Sequence, residues 1–474
     1  MTPADFGRRF LLLAAVLLGC AATLVAQNEP AHHPMASAMI AADGKTQGPA
    51  NVAAPHNEFV IRGATVLTGS HGAIQNGSVY VRNGKIVAVG ESVNAPASAS
   101  VIDARGKYVT PGIIDSHSHM ALDGDVNELT NPVVPHMMMI DAFDYRDKAL
   151  YHALAGGVTS ALLLHGSGDM IGGQAVVIKL KYGRSRDEML FPNAPRSIKF
   201  ASGENPKRVF GSRNQLPSTR MGNFEVMRQA LQEGREYMRD WDDYNTKVKN
   251  GDKNARPPRR DLRLEALADI LRGNLLVQIH CYRSDEMLTE MAIAKEFGYK
   301  VRAFHHALEA YKVAPQLAAE GVGIATFSDW WGFKDEAKDA IPWNAVIAMR
   351  KGVKVAIKSD SDDFVRRLNQ EAAKAIRYGG ATEDEALQMI TINPAWIMGI
   401  DDRTGSLDVG KDADIVIWNG PPLSSYALAD KVFIDGDLYF DRSLPGFGLV
   451  QFHGTPGVGA ATEGFPGDDH EEVH

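Results

Sequence analysis

The chain has 474 residues, 45% hydrophobic and 23% charged, enough for one large buried core and a smaller second one. Its net charge of -8 is spread along the sequence and excludes the basic footprint of a nucleic-acid-binding protein. Cys20 and Cys281 are the two cysteines, so a mature chain that has lost Cys20 has no intramolecular disulfide framework.

Taken in chain order, the first signal is a leader. Arg8 and Arg9 precede an apolar run over 10–18, and small residues follow through Ala22 and Ala26. A basic start, a short apolar stretch and a small-residue exit predict a signal peptide over 1–26 and export to the periplasm or beyond the cell. The apolar run falls short of the ~20 residues of a membrane-spanning helix. Leu17-Leu18-Gly19-Cys20 is similar to an imperfect lipoprotein box, which would tie the protein to a membrane through a lipidated Cys20. Arg8-Arg9-Phe10-Leu11 weakly resembles a twin-arginine signal. Residues 27–57, rich in Ala, Pro, Gly and His without periodicity, are expected to form a linker.

Residues 59–66 and 78–89 are β-branched runs divided by Gly69, Gly72, Asn76-Gly77 and Asn83-Gly84, a strand and hairpin pattern. Beyond Tyr108 the pattern changes. Strand-like runs at 113–117, 158–165, 175–180, 197–201, 275–281, 301–306, 322–327 and 353–359 alternate with helical stretches such as 284–297, 308–320 and 364–378. Eight strands alternating with helices predict a parallel sheet closed as a (β/α)8 TIM barrel over 110–390. Residues 221–271, charged and helical, are an insertion between the fourth and fifth strands. Within them the basic run 256–263, interrupted by Asp261, is a solvated loop. Strand patterns return at 413–417 and 432–434. Segments 58–109 and 391–440 are therefore expected to pair as a β-sandwich domain, with 441–474 as a C-terminal tail.

The sharpest chemical signal is Pro111-Gly112-Ile113-Ile114-Asp115-Ser116-His117-Ser118-His119. Residues two apart on a strand face one way, so His117 and His119 project together, over the mouth of a barrel if that strand ends there. Two imidazoles at this spacing suit one borderline metal ion. Alone, such a pair is more often accidental. Three further ligand types, however, close later strands: His280 the fifth, His306 the sixth and Asp360 the eighth.

With these residues the sequence resembles the amidohydrolase superfamily, most closely its imidazolonepropionase-like and dipeptidase-like branches. Thr391-Ile392-Asn393-Pro394-Ala395 and the stretch from Gly405 to Asp414 add to the likeness, which spans residues 59 to about 423. The resemblance implies one or two divalent metal ions, zinc by preference, held by His117, His119, His280, His306 and Asp360. His305 competes with His306, since neighbouring strand residues face opposite ways; His306 fits the family pattern better, leaving His305 as a packed or supporting residue. Related binuclear members carbamylate a lysine in an Ile-Lys setting, which makes Lys199 the expected bridge between two ions. Lys179, in a Val-Ile-Lys setting, and Glu204 are the alternatives. The ion would bring the pKa of its water towards ~7 and polarise a carbonyl, while Asp360 moves the proton from water to leaving group. Asp362 and Asp363 are expected to cap the next helix.

The implied activity is hydrolysis of amide, peptide or cyclic amide bonds. A lactonase or organophosphate-ester hydrolase would use the same site, and a non-catalytic scaffold would be expected to lack ligands. Lys207, Arg208, Arg213 and Arg220 follow the fourth strand and Arg283 the fifth. Arg208 and Arg283 are therefore the expected substrate-binding residues, holding the carboxylate of a small-molecule or short-peptide substrate. No nucleic-acid partner is expected, and a homo-oligomer is compatible with the chain.

Overall fold

The computed structural model describes residues 58–445 and 448–450. The expected leader and linker, Cys20 included, and the tail beyond 450 lie outside the described residues.

Strands from both ends of the described chain build one sheet. Its N-terminal members are β1 (Glu58–Leu67), β2 (Ala73–Arg82), β3 (Lys85–Gly90), β4 (Ser100–Asp103) and β5 (Tyr108–Pro111). The barrel strands follow: β6 (Ile113–Ser118), β7 (Val158–Leu163), β8 (Ile171–Lys179), β9 (Ser197–Ala201), β10 (Leu276–Cys281), β11 (Val301–His306), β12 (Gly323–Thr326) and β13 (Val355–Ile357). The chain then returns to the first sheet as β14 (Ile415–Trp418), β15 (Ala429–Ile434) and β16 (Asp437–Asp441). The order of that sheet is β16-β15-β14-β5-β1-β2-β3, with β4 paired to β1. Asn83 and Gly84 both take positive φ and make the tight turn between β2 and β3, the geometry that right-twisted hairpins favour. One face of the sheet buries Phe59, Ile61, Val79, Val81, Ile415, Ile417 and Phe433, with Phe59 stacked on Phe433 at 4.9 Å between centroids.

The second sheet is a nearly closed barrel in which β6 to β13 neighbour one another in chain order. The expected all-parallel arrangement fails at one strand. β8 runs antiparallel to both β7 and β9. The connection 164–170 is too short for the crossover of about a dozen residues that a parallel pair needs, so the chain turns straight back. The remaining barrel pairings are parallel. The seam between the last and first strands is drawn together by the Asp360 N–H donating to His117 O at 3.2 Å. Buried Asp115 adds to it, accepting the Ser359 hydroxyl at Oδ2 and the backbone N–H groups of His117 and Ser359 at Oδ1.

Gly112 links the two sheets at a point of very close approach. A Cβ there would lie 2.0 Å from Thr159 Oγ1, so the strand carrying the His-x-His pair can begin only after a glycine. The insertion between β9 and β10 forms helices Arg220–Lys249 and Leu262–Leu271, capped by Thr219 and Asp261 through the Gly222 and Leu264 N–H groups. Helix Ile392–Met398 packs on the barrel rather than on the first sheet: Gln278 donates to Ile397 O and Asn393 to Val355 O. Among the described residues no helix is long and apolar enough to cross a membrane.

Candidate metal centre

His117, Lys199, His280, His306 and Asp360 are all buried and meet with His119 at one end of the barrel. The proton positions on the first two histidines follow from their partners. Gln278 Nε2 donates to Ile397 O, so its Oε1 accepts from His305 Nε2 at 2.8 Å. His305 Nδ1 is then an acceptor and takes the proton of His117 Nδ1 at 2.8 Å. The bare Nε2 of His117 therefore faces the site. His119 donates Nδ1–H to Leu164 O at 2.9 Å and likewise presents a bare Nε2.

These two nitrogens stand 3.3 Å apart, and Asp360 Oδ1 lies 3.1 Å from the first and 3.4 Å from the second. Three acceptor atoms this close, with no proton to share, fit a cation. His280 supports the same conclusion. Both its ring nitrogens are buried and lack a hydrogen-bond partner, and its ring centroid is 4.3 Å from that of His306. His306 Nδ1 is 3.4 Å from the other carboxylate oxygen, Asp360 Oδ2. Burial drives the pKa of His117, His280 and His306 well below the ordinary imidazole value, the neutral form a ligand must have.

His305 and His306 are both at the site, and the expected strand alternation does not separate them. His306 ends β11 at φ +68°, Ala307 follows at +45° and Asp360 sits at +55°. Left-handed backbone costs non-glycine residues free energy, and here it turns side chains inward at two strand ends. His305 keeps its strand geometry and acts as the support for His117.

Lys199 Nζ is 3.4 Å from His117 Nε2 and 3.3 Å from His165 O. Burial, helped by the charge of Lys358 and opposed by Asp360, pushes its pKa down to about 7. Its two rivals are tied to other partners. The reversal of β8 sends Lys179 to the opposite end of the barrel, where it is buried among Asp412, Asp414 and Asp435. Glu204 pairs with Lys334 at 3.3 Å. Of the expected substrate-binding residues, Arg283 is held by Asp285 through two 2.9 Å hydrogen bonds, and Arg208 is exposed on helix Glu204–Gly211. Arg213 donates to Leu129 O, and Arg220 pairs with Glu286 and Glu336. Asp363 departs from its expected role as a helix cap. It precedes the short helix Phe364–Arg367 without a side-chain capping bond, and its carboxylate takes the guanidiniums of Arg366 and Arg367.

Sequence reading missed three groups at the centre. Lys358 is buried, donates to Asp360 Oδ2 at 2.7 Å and lies 3.8 Å over the Phe327 ring. Its closeness to Asp360 in the sequence was the available signal, both residues lying just past the end of β13. Tyr282 stacks on His306 with 4.8 Å between centroids, and stands two residues after His280 in the same way. Lys334 lies 4.1 Å over the Tyr282 ring; nothing local in the sequence marked it.

Fold and centre together define a barrel enzyme with a histidine- and carboxylate-lined metal site at one mouth. The Amidohydrolase family profile matches residues 334–439. A crystal structure of an amidohydrolase from Thermotoga maritima is 36% identical, with a TM-score of 0.74, covering 81% of this chain and 100% of that one. Amidohydrolase tasK of Hapsidospora irregularis is 34% identical over 77% of this chain, which spans 40% of that protein's length. The imidazolonepropionase of Thermoplasma volcanium is 24% identical over 78% of this chain and 92% of its own. This chain belongs to the amidohydrolase family, on the imidazolonepropionase-like side, and is an enzyme, a metal-dependent amidohydrolase.

Proposed function

We propose that the protein hydrolyses amide, peptide or cyclic amide C–N bonds outside the cytoplasm, with zinc as its ion. The observation that carries this reading is the set of bare acceptors formed by His117 Nε2, His119 Nε2 and Asp360 Oδ1, 3.1 to 3.4 Å apart. Nitrogen and oxygen donors of this kind suit zinc. His280 and His306, with Lys199 as its carbamate, would hold a second ion. Bound there, the metal would polarise the scissile carbonyl and acidify a water.

The chain's own groups do the rest. His305 and Leu164 O fix the two imidazoles. Asp360 accepts a proton from the water whose oxygen attacks the carbonyl carbon. As the C–N bond breaks, it returns that proton to the nitrogen. Burial opposes its charge, but Lys358 above all, with His117 and His306, holds its pKa well below the usual carboxylate range. It is therefore ionised, as a proton acceptor must be.

His280→Ala and Asp360→Ala test the reading. Loss of a supporting residue around a metal costs about 10- to 100-fold, so loss of a direct ligand should exceed a hundredfold in turnover. Both variants should also bind less metal, measured by elemental analysis, while keeping the native circular dichroism spectrum. Full activity in either would remove that residue from the centre.

A further inference from the structure

The segment after β12 stands beside the His280/His306 side of the centre. It carries Phe327, half-buried Trp330 and, facing solvent, Trp331 and Phe333. Phe327 lies 5.4 Å from the His306 ring and stacks on Trp330 at 4.1 Å and 8°. Phe333 touches Trp330 at 5.9 Å and Tyr282 at 6.1 Å between centroids. The result is a continuous aromatic wall from the metal ligand to the surface. Buried Glu336, taking a hydrogen bond from Arg220 at 3.2 Å, ties the segment down.

Two cations stand at this wall: Lys358, over Phe327 and bonded to Asp360, and Lys334. Lys334 is largely buried, its side chain 12% exposed, and lies over Tyr282. It is the foremost charge acting on His280. An ammonium has three N–H donors. Asn205 Oδ1 takes one at 3.2 Å and Glu204 the second at 3.3 Å, while the third has no hydrogen-bonding partner among the described residues. Arg283 is engaged by Asp285 and Arg208 is in solvent, where a charge attracts weakly.

We propose that the wall of Phe327, Trp330 and Phe333, with Lys334, forms a substrate subsite for a free carboxylate beside an apolar or aromatic side chain, as in N-acyl aromatic amino acids or dipeptides ending in one. The assignment rests on the C–N hydrolase reading only for what happens to the bound molecule. Lys334 supplies the remaining N–H to the carboxylate. The rings take the side chain, next to the ligands that would address its amide.

Binding can be read without turnover, because Trp330 and Trp331 report by fluorescence. Metal-loaded enzyme is titrated with N-acetyl-L-phenylalanine, N-acetyl-L-phenylalaninamide and N-acetylglycine. The acid should bind about tenfold tighter than its amide. Lys334→Met should remove that preference and Lys334→Arg should restore most of it. Trp330→Ala, with Trp331 as reporter, should weaken the phenylalanine compound more than the glycine one. Metal content and unfolding midpoint check that each variant folds. An unchanged acid-to-amide ratio in Lys334→Met overturns the proposal, even if the enzyme cleaves C–N bonds. Lys334-dependent binding with no C–N substrate cleaved would leave the subsite standing and sink the hydrolase reading.

Discussion

On the proposed reading, Lys199 decides whether the centre holds one ion or two. Its chain crosses the barrel interior on β9 and ends beside His117, with burial holding its pKa near about 7. An amine must be uncharged to add carbon dioxide, and a lysine is uncharged above its pKa. Apo-enzyme given metal and bicarbonate should therefore regain activity several-fold faster at pH 8 than at pH 6. Lys199→Ala should lose one of two metal equivalents and all response to bicarbonate. Two equivalents retained in that variant would move the bridge away from Lys199. Lys358 and Tyr282 carry a lesson at the same scale. Each lies two residues from a ligand but past the end of its strand, where period-two alternation no longer sets direction, so only the folded chain places it at the centre.

Among the elements, β8 decides most. Its reversal follows from the short 164–170 connection, which cannot carry the crossover a parallel neighbour needs. The reversal delivers Lys179 to the junction with the first sheet, against Asp412, Asp414 and Asp435. Burial works against the lysine's charge, and the three carboxylates together more than offset it, holding its pKa above the ordinary lysine value. Removing one partner of such a buried cluster costs about 3–5 kcal/mol, because the remaining charges stay desolvated and repel. Lys179→Met should lower unfolding stability by that amount in a urea titration. A change below ~1 kcal/mol would show that the cluster does not hold the two sheets together.

Over the whole molecule, the centre is assembled from β6, β9, β10 and the ends of β11 and β13. Those segments meet only in the closed barrel, so an ion bound there stabilises the fold by mass action. At a free concentration a thousandfold above Kd the gain is about 4 kcal/mol. Chelation should lower the thermal midpoint by several degrees, and added zinc should restore it. A midpoint indifferent to chelator and zinc would count against a high-affinity site. Export belongs to the same scale. Protein from its native source is expected outside the cytoplasm, beginning near Gln27 or at a lipidated Cys20, as N-terminal mass analysis would show. An intact Met1 on cytosolic protein would refute the leader.

Local order and spacing were enough to find the barrel and its helical insertion, and to pick out His117, His119, His280, His306 and Asp360, which the fold brings to one barrel end. These follow from period-two patterns and strand ends, which are properties of neighbouring residues. The expected β-sandwich is instead a single sheet with strands from both ends of the described chain. The tertiary structure alone separated Lys199 from Lys179, because which barrel end a lysine reaches depends on strand direction. It alone showed His305 supporting His117, since the link runs through Gln278 on another strand. It alone placed Lys334 over Tyr282 beside the centre while pairing Arg283 with Asp285. A sequence gives the sign of each charge, but only folding sets Lys334, already bonded to Glu204 and Asn205, beside the metal centre.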